Sequence, residues 1–318
     1  MGVGEGEQAC DGAQNARTTG PSLRSLAHRS HDSPSSKRAP PMCRSTVAID
    51  RSSTLGRTLG GSAHPGGVRT PSATVAVVPT YNEAATLHTF VETFERDAPG
   101  VDLLVVDDAS PDGTGALADR MAATRPWMHV LRRPAKDGLG NAYRAGIAWA
   151  LGRGYRAIAQ LDADLSHPPA IVPRMLEALD RGADLVLGSR YAEGGGSDGW
   201  PLHRRIASRI GCASSARALG LPYSDLSGGL KLWRASALAA IDVASTGSQG
   251  YVFQVETTQR AHRAGLRIVE LPFTFRDRAA GESKMKASIA LEGVRMVARL
   301  RRDGWSPQRV ASAARTGA

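Results

Sequence analysis

The stretch Ala157-Ile-Ala-Gln-Leu161 runs directly into Asp162-Ala-Asp-Leu-Ser-His167, an apolar strand-like segment ending in two carboxylates two positions apart. Alternate residues of a strand share a face, so both carboxylates can point into one crevice at the strand's carboxyl end. Two hard anionic oxygen ligands held that closely suit Mg²⁺ or Mn²⁺, and an ion of that kind bridging a diphosphate makes it a competent leaving group. An Asp-x-Asp at a strand end is also a common solvated turn, so the reading depends on what surrounds it.

Outward from this segment, short apolar runs alternate with amphipathic stretches from Ser72 onward. That alternation predicts an α/β fold: a mostly parallel sheet flanked by helices. Strands are expected near 73–78, 102–106, 128–131, 157–161 and 184–187, and helices near 83–95, 114–123, 139–152 and 169–180. Polar clusters follow several strands: Pro79-Thr-Tyr-Asn-Glu83, Asp107-Asp-Ala-Ser-Pro-Asp-Gly113 and Asp162-Ala-Asp164. In an open α/β sheet such clusters converge at the carboxyl-end crevice. The first βα turn has no G-x-G-x-x-G fingerprint, and the chain carries no Walker A pattern. Both absences argue against dinucleotide and P-loop chemistry, leaving phosphate handling to metal and basic side chains.

Composition divides the 318 residues into three parts. Residues 1–70 hold ten Gly, ten Ser, five Pro and none of the 16 aromatics, too little to offset ordering entropy, so they read as a disordered tail. They also lack an apolar run long enough for a signal peptide. The tail carries a net +4 and residues 284–318 a net +6, whereas 71–283 balance at 23 basic against 23 acidic residues. A neutral centre without a basic stripe excludes a nucleic-acid module, while polybasic ends suit an anionic membrane surface or simply solubility. No apolar stretch reaches the roughly 20 residues of a spanning helix. Three scattered cysteines form neither a disulfide framework nor a zinc cluster, which fits a reducing cytoplasm.

With its clusters in order, the chain resembles the dolichol- or polyprenol-phosphate mannose synthases, a branch of the family 2 glycosyltransferases, over about residues 74–298. The motifs are Pro79-Thr-Tyr-Asn-Glu83, Val106-Asp-Asp-Ala-Ser-Pro-Asp-Gly-Thr114, Gly138-Leu-Gly-Asn-Ala-Tyr143, Leu161-Asp-Ala-Asp-Leu-Ser-His167, Gly188-Ser-Arg-Tyr191, Ser224-Asp-Leu-Ser-Gly228, Gly250-Tyr-Val-Phe-Gln-Val-Glu256 and Arg278 with Gly281-Glu-Ser-Lys284. The resemblance implies a GT-A-type, Rossmann-like single catalytic domain over 71–284, followed by an amphipathic helix and basic tail over 285–318. It implies inverting, metal-dependent transfer of mannose from GDP-mannose to a polyprenyl phosphate. Transfer of glucose from UDP-glucose would use nearly the same residues, and a catalytically silent nucleotide-binding regulator is the alternative outside the enzyme class.

On the same resemblance Pro79, Tyr81, Glu83, Val106 and Asp108 line the nucleoside end, with Asp108 accepting from ring N–H groups of the base. Asp107 has a loop-bracing alternative and stands outside the binding set. Asp162, Ala163 and Asp164 face the diphosphate and the Mg²⁺ or Mn²⁺, with Asp162 and Asp164 as metal ligands. Some relatives place Gln where this chain has Ser166, which leaves the third protein ligand open. Arg190, Arg278 and Lys284 form the cationic half of the donor-binding site, with Arg278 and Lys284 flanking Gly281 in a lid-like loop. Asp162, Asp164, Arg278 and Lys284 carry the catalytic assignment. The acceptor phosphate is already anionic, so no strong general base is required. A polyprenyl acceptor arrives from a bilayer, which implies a peripheral protein at the cytoplasmic face, with or without a separate membrane subunit. Two interfacial helices are candidates: Ile206, Ile210 and Ala213 with Arg204, Arg205 and Arg209, and Ile289, Val294, Val297 and Leu300 with Arg295, Arg299, Arg301 and Arg302. The second is the stronger of the two.

Overall fold

The computed structural model describes residues 72–277, 295, 297–302 and 305. The expected tail over 1–70 lies outside these residues, as does most of the expected segment over 285–318. Within them run β1 (Thr74–Thr80), α1 (Ala84–Asp97), β2 (Asp102–Asp107), α2 (Thr114–Ala122), β3 (Met128–Arg132), α3 (Leu139–Gly152) and β4 (Ala157–Gln160). A 3-10 turn (Pro169–Ile171) leads into α4 (Val172–Asp180), followed by β5 (Leu185–Ser189), β6 (Gly196–Asp198) and α5 (Leu202–Leu219). Then come β7 (Lys231–Arg234), α6 (Ala235–Ala240), α7 (Gly250–Arg263), β8 (Ile268–Pro272) and β9 (Thr274–Arg276). Seven strands form one sheet in the order β3-β2-β1-β4-β7-β5-β8, parallel except for β7, while β6 and β9 pair separately.

Period-two alternation explains how helices cover both faces of the central strands. Ala76 and Val78 of β1 point to one side with Leu103 and Val105, where α1 buries Leu87, Phe90, Val91 and Phe94. Val75 and Val77 point to the other side with Leu104 and Val106, beneath Ala142, Tyr143, Ile147 and Ala150 of α3. Both helices show the i, i+3, i+4, i+7 spacing of an apolar stripe, and each full burial of such a side chain contributes about 1.5–3 kcal/mol.

The expected strands and helices through residue 187 are present, with no boundary displaced by more than three residues. The structure adds β7, which sequence pattern did not suggest. Its four residues, Lys-Leu-Trp-Arg, begin with a fully buried lysine. Lys231 Nζ donates to Gln254 O (2.6 Å), Thr258 Oγ1 (2.8 Å) and Thr257 Oγ1 (3.0 Å), tying the sheet to α7. Burial pushes this amine well below its ordinary range, and the charge of Asp225 only partly counters it.

Gly146 shows how closely α3 approaches the sheet. A Cβ there would lie 2.4 Å from Val77 Cγ1 and 3.0 Å from Val106 Cγ2. Gly146→Leu is expected to destabilise the fold by about 1–3 kcal/mol or more through overpacking, seen as a lowered Tm in thermal denaturation. Gly152→Leu, where a Cβ meets nothing within 4 Å, is the control and leaves Tm nearly unchanged.

Candidate functional site

The carboxyl ends of β2, β1 and β4 lie side by side, with Thr80 opposite Asp107 and Val77 opposite Gln160. Two strand spacings, about 10 Å, therefore separate the turn holding Asp108 from the turn holding Asp162. The turns after β1 and β2 are latched to each other. Asn82 (φ 60) and Ala109 (φ 53) both adopt the left-handed region that non-glycine residues seldom occupy. Asn82 N–H donates to Ser110 Oγ (3.1 Å), Glu83 N–H to Thr114 Oγ1 (2.9 Å) and Ala84 N–H to Asp112 Oδ2 (3.0 Å). Side chains of the second turn thus satisfy the first N–H groups of α1 and hold strained backbone in place.

At this end Pro79 is half-buried in β1 opposite the buried Val106, and Glu83 Oε2 accepts from Thr86 Oγ1 (2.8 Å). Asp107, wholly buried, accepts from Ser110 N–H and Oγ (3.2 and 2.6 Å) and lies 3.3 Å from Arg132 Nε, so it braces the loop. Asp108 is turned the other way, and its Oδ1 accepts from Arg133 Nη1 (2.5 Å). Burial pushes the Asp108 carboxyl up, and the adjoining Arg133 guanidinium only partly counters it. Lys136 Nζ lies 3.5 Å above the Tyr81 ring.

At the other end Asp162 and Asp164 are both partly open to solvent, with Ala163 buried between them. Leu165 has φ 60, and Ser166 N–H donates to Asp164 Oδ1 (3.0 Å), a tight turn that keeps the two carboxylates on the loop. Ser166 Oγ is buried without a hydrogen-bond partner. Asp162 N–H donates to His167 Nδ1 (3.1 Å). The same nitrogen is 3.7 Å from Asp162 Oδ2, but an accepting Nδ1 carries no proton, so the hydrogen-bond geometry assigns an Nε2–H ring and no ion pair. Phe273 and Phe275 hold that ring edge-on at 5.8 Å each. Tyr143, stacked on Phe253, places its hydroxyl 3.5 Å from Asp162 Oδ1.

Arg190 does not point freely into the crevice. Its Nε and Nη2 donate to Asp225 Oδ2 and Oδ1 at 2.7 Å each, and Nη2 also reaches Ser227 Oγ (2.9 Å). Burial alone would raise the Asp225 carboxyl, but the hydrogen bonds and charge of Arg190 overcome it and hold it below its ordinary value. Arg190 also borders a mostly apolar cavity of about 620 Å³, together with Trp200, Arg204, Cys212, Val297 and Arg301. Arg278 and Lys284 lie outside the described residues.

The model of the glycosyl transferase family 2 matches residues 75–242, more than half of the chain. The chain belongs to that family. It is a glycosyltransferase. It is 48% identical over 225 residues to an undecaprenyl-phosphate mannosyltransferase of Micrococcus luteus, covering 71% of this chain and 92% of the relative. It is 43% identical over 243 residues to a polyprenol monophosphomannose synthase of Mycolicibacterium smegmatis, covering 76% and 92%. Among solved structures, glucosyl-3-phosphoglycerate synthase of Mycobacterium tuberculosis, crystallised with Mn²⁺, UDP-glucose and phosphoglyceric acid, matches with a TM-score of 0.53 at 20% identity. That match covers 72% of this chain and 79% of the other, and confirms the GT-A fold.

The sequence reading gave no individual role to several residues that shape this transferase's crevice. Ser110, Asp112 and Thr114 were legible as an Asp-x-Thr capping pattern before α2. Arg133, Lys136 and Asp225 were not, because their partners are distant in sequence or belong to another turn. Gly138 (φ +108) and Gly140 also have a tertiary cause, since a Cβ on Gly140 would meet Ser248 O at 2.5 Å. The Gly138-Leu-Gly140 motif is thereby packed against the turn before α7.

The Asp225 carboxylate, held low in the folded state, adds stability above its unfolded value near 3.8 that is lost as pH falls through the folded one. Asp225→Ala leaves the Arg190 guanidinium buried and unpaired, with an expected cost of about 3–5 kcal/mol. Denaturant unfolding between pH 7 and pH 3 checks both points: the variant starts less stable and loses less on acidification.

Proposed function

We propose that this glycosyltransferase moves a mannosyl residue from GDP-mannose to a polyprenyl phosphate, with inversion at the anomeric carbon and Mg²⁺ or Mn²⁺ as cofactor. The observation that carries the reading is the apolar cavity bordered by Arg190, Arg204 and Arg301, which suits an acceptor anionic at one end and hydrocarbon at the other. The names of the two relatives point to the same acceptor class and to mannose.

The residues after β4 fit a divalent ion. Asp162 and Asp164 supply two hard oxygen donors, and Ser166 adds a buried hydroxyl without a partner. Among the described residues no group of three His, Cys, Asp or Glu could hold a metal, so diphosphate oxygens of the donor would complete the coordination, as is usual for Mg²⁺. When bound, the ion neutralises charge on the departing diphosphate.

The chain's own groups supply position and field. Tyr81 offers a flat face to the base, while Pro79, Glu83, Val106 and Asp108 line the nucleoside end. The Asp162-Ala-Asp164 turn holds the diphosphate end about two strands away. Arg190, expected among the donor-binding residues and locked by Asp225, borders the apolar cavity, and we assign it with Arg204 to the acceptor phosphate. Arg278 and Lys284 are assigned to the same anionic cluster on the family motif. A phosphate oxygen of the acceptor forms a bond to the anomeric carbon as the bond from that carbon to the diphosphate breaks, and GDP leaves. The attacking oxygen carries no proton, so no general base takes part.

The acceptor is a membrane lipid, and α5 provides a surface for reaching it. Leu202, Ile206 and Ile210 recur at four-residue spacing and are 68%, 49% and 60% exposed, beside exposed Arg205 and Arg209. Val297 and Leu300, from the segment expected to be the stronger interfacial helix, are instead half-buried, Val297 at the cavity and Leu300 beside Val255. Among the described residues no helix is long and apolar enough to cross a membrane. We therefore place the enzyme peripherally, with α5 against the cytoplasmic leaflet.

Incubation with labelled GDP-mannose, a short polyprenyl phosphate and Mg²⁺ is expected to give labelled extractable lipid. EDTA or Asp164→Ala abolishes it while the circular dichroism spectrum is retained. Full transfer in excess EDTA, or labelling from UDP-glucose in place of GDP-mannose, overturns the metal or the donor assignment respectively.

The double variant Ile206→Asp, Ile210→Asp is expected to reduce co-sedimentation with anionic vesicles by about tenfold or more, from lost apolar burial and added negative charge. Its activity on a short water-soluble acceptor stays near that of the parent. Undiminished vesicle binding moves the contact away from α5.

A further inference from the structure

The connection between β3 and α3 closes the nucleoside end of the crevice with two cations. Lys136 Nζ sits 3.5 Å from the centre of the Tyr81 ring, on a face where a base would stack. Arg133 is pinned on three sides. Its backbone N–H donates to Asp107 O (2.9 Å), its Nη1 to Asp108 Oδ1 (2.5 Å) and its Nη2 to Asp137. The side chains of Arg133 and Asp108 are only 11% and 8% exposed. This contact uses one carboxylate oxygen and one N–H. Asp108 Oδ2 makes no hydrogen bond among the described residues, and Arg133 Nη1 retains a second N–H. A hydrogen-bond acceptor and a hydrogen-bond donor thus stand next to each other, held in fixed order by their own ion pair.

We infer that Arg133 is a base-reading residue that acts with Asp108 to select a lactam edge, the adjacent ring N–H and C=O of guanine or uracil, over the amino edge of adenine or cytosine. The inference rests on Asp108 being at the nucleoside end of the donor site. In guanine and uracil the ring nitrogen is a donor and its exocyclic neighbour an acceptor; in adenine and cytosine both are reversed. A base stacked on Tyr81, with its ribose tied to the diphosphate, cannot turn over to exchange the two. The lactam therefore meets carboxylate with N–H and guanidinium with C=O. An amino base sets a lone pair against the carboxylate and an N–H against the guanidinium, leaving buried polar groups unpaired, which rejects a ligand more strongly than a missing apolar contact does. Asp108 alone supplies only half of this test. The base takes the place of the Lys136 ammonium on the Tyr81 ring, so Lys136 moves when a nucleotide binds.

The test is calorimetric binding of GDP and ADP to the full chain and to three variants. The parent is expected to prefer GDP. Arg133→Met narrows the GDP to ADP affinity ratio by about tenfold or more, because GDP loses its carbonyl partner and ADP loses a clash. Arg133→Lys keeps the positive charge beside Asp108 without the planar fork, gives an intermediate ratio, and serves if the Met variant does not fold. A ratio unchanged in both Arg133 variants, with Asp108→Ala still weakening GDP, reduces Arg133 to a structural partner and overturns this inference alone. GDP affinity unchanged in Asp108→Ala moves the base elsewhere and overturns the nucleoside-site assignment as well.

Discussion

The parallel ladder of β1 between β2 and β4 is the constraint on which the rest of the crevice depends. Pairing of Thr80 with Asp107 and of Val77 with Gln160 brings three polar turns to one edge of the sheet. A one-residue slip would turn every β1 side chain to the opposite face, exchanging Ala76 and Val78 with Val75 and Val77 between two differently shaped cores. Close packing under α1 and α3 forbids that slip. The same packing fixes the separation between the Asp108 turn and the Asp162 turn. Core volume and site spacing are therefore one property of this fold.

Once the turns are placed, much of their polar equipment is spent on the turns themselves. Ser110, Asp112 and Thr114 hold the backbone after β1, Asp107 holds the backbone after β2, and His167 holds the backbone of Asp162. Three non-glycine residues at positive φ, Asn82, Ala109 and Leu165, sit in these turns. Each is a local cost of order 1–3 kcal/mol, tolerated where surrounding contacts over-determine the conformation. The outcome is a buried carboxylate, Asp108, at one end and two partly exposed ones, Asp162 and Asp164, at the other, on backbone that has little freedom to relax.

The second half of the domain supplies cations by a different device. β7 enters the sheet in reverse between β4 and β5, and the Ser224–Gly228 turn before it carries Asp225 to Arg190. Glu270 of β8 then accepts from the Ser224 and Asp225 backbone N–H groups at 3.0–3.1 Å, so the acidic partner of the arginine is itself braced. A guanidinium held in this way stays charged and oriented beside the apolar cavity. That arrangement suits an anionic lipid headgroup better than a freely rotating surface arginine would, because little side-chain entropy is left to lose on binding.

The sequence by itself determined the first half of this protein. Apolar runs at period two and stripes at period 3.6 are local signals, and they located all five strands from β1 to β5 to within two residues, together with the acidic turns that end several of them. It also put Asp108, Asp162 and Asp164 in the turns after β2 and β4, one, two and four residues past the strand ends. Only the tertiary structure decided which charges face each other. Nothing local to Lys231 announces the three oxygens of α7 that surround it, and nothing local to Arg190 announces Asp225, 35 residues away, which takes its Nε and Nη2. Arg133 and Lys136 likewise acquire their partners, Asp108 and Tyr81, only across the fold. Pairing across the sheet depends on loop closure and burial, which carry no short-range period. For that reason the strand ends were legible and their partners were not.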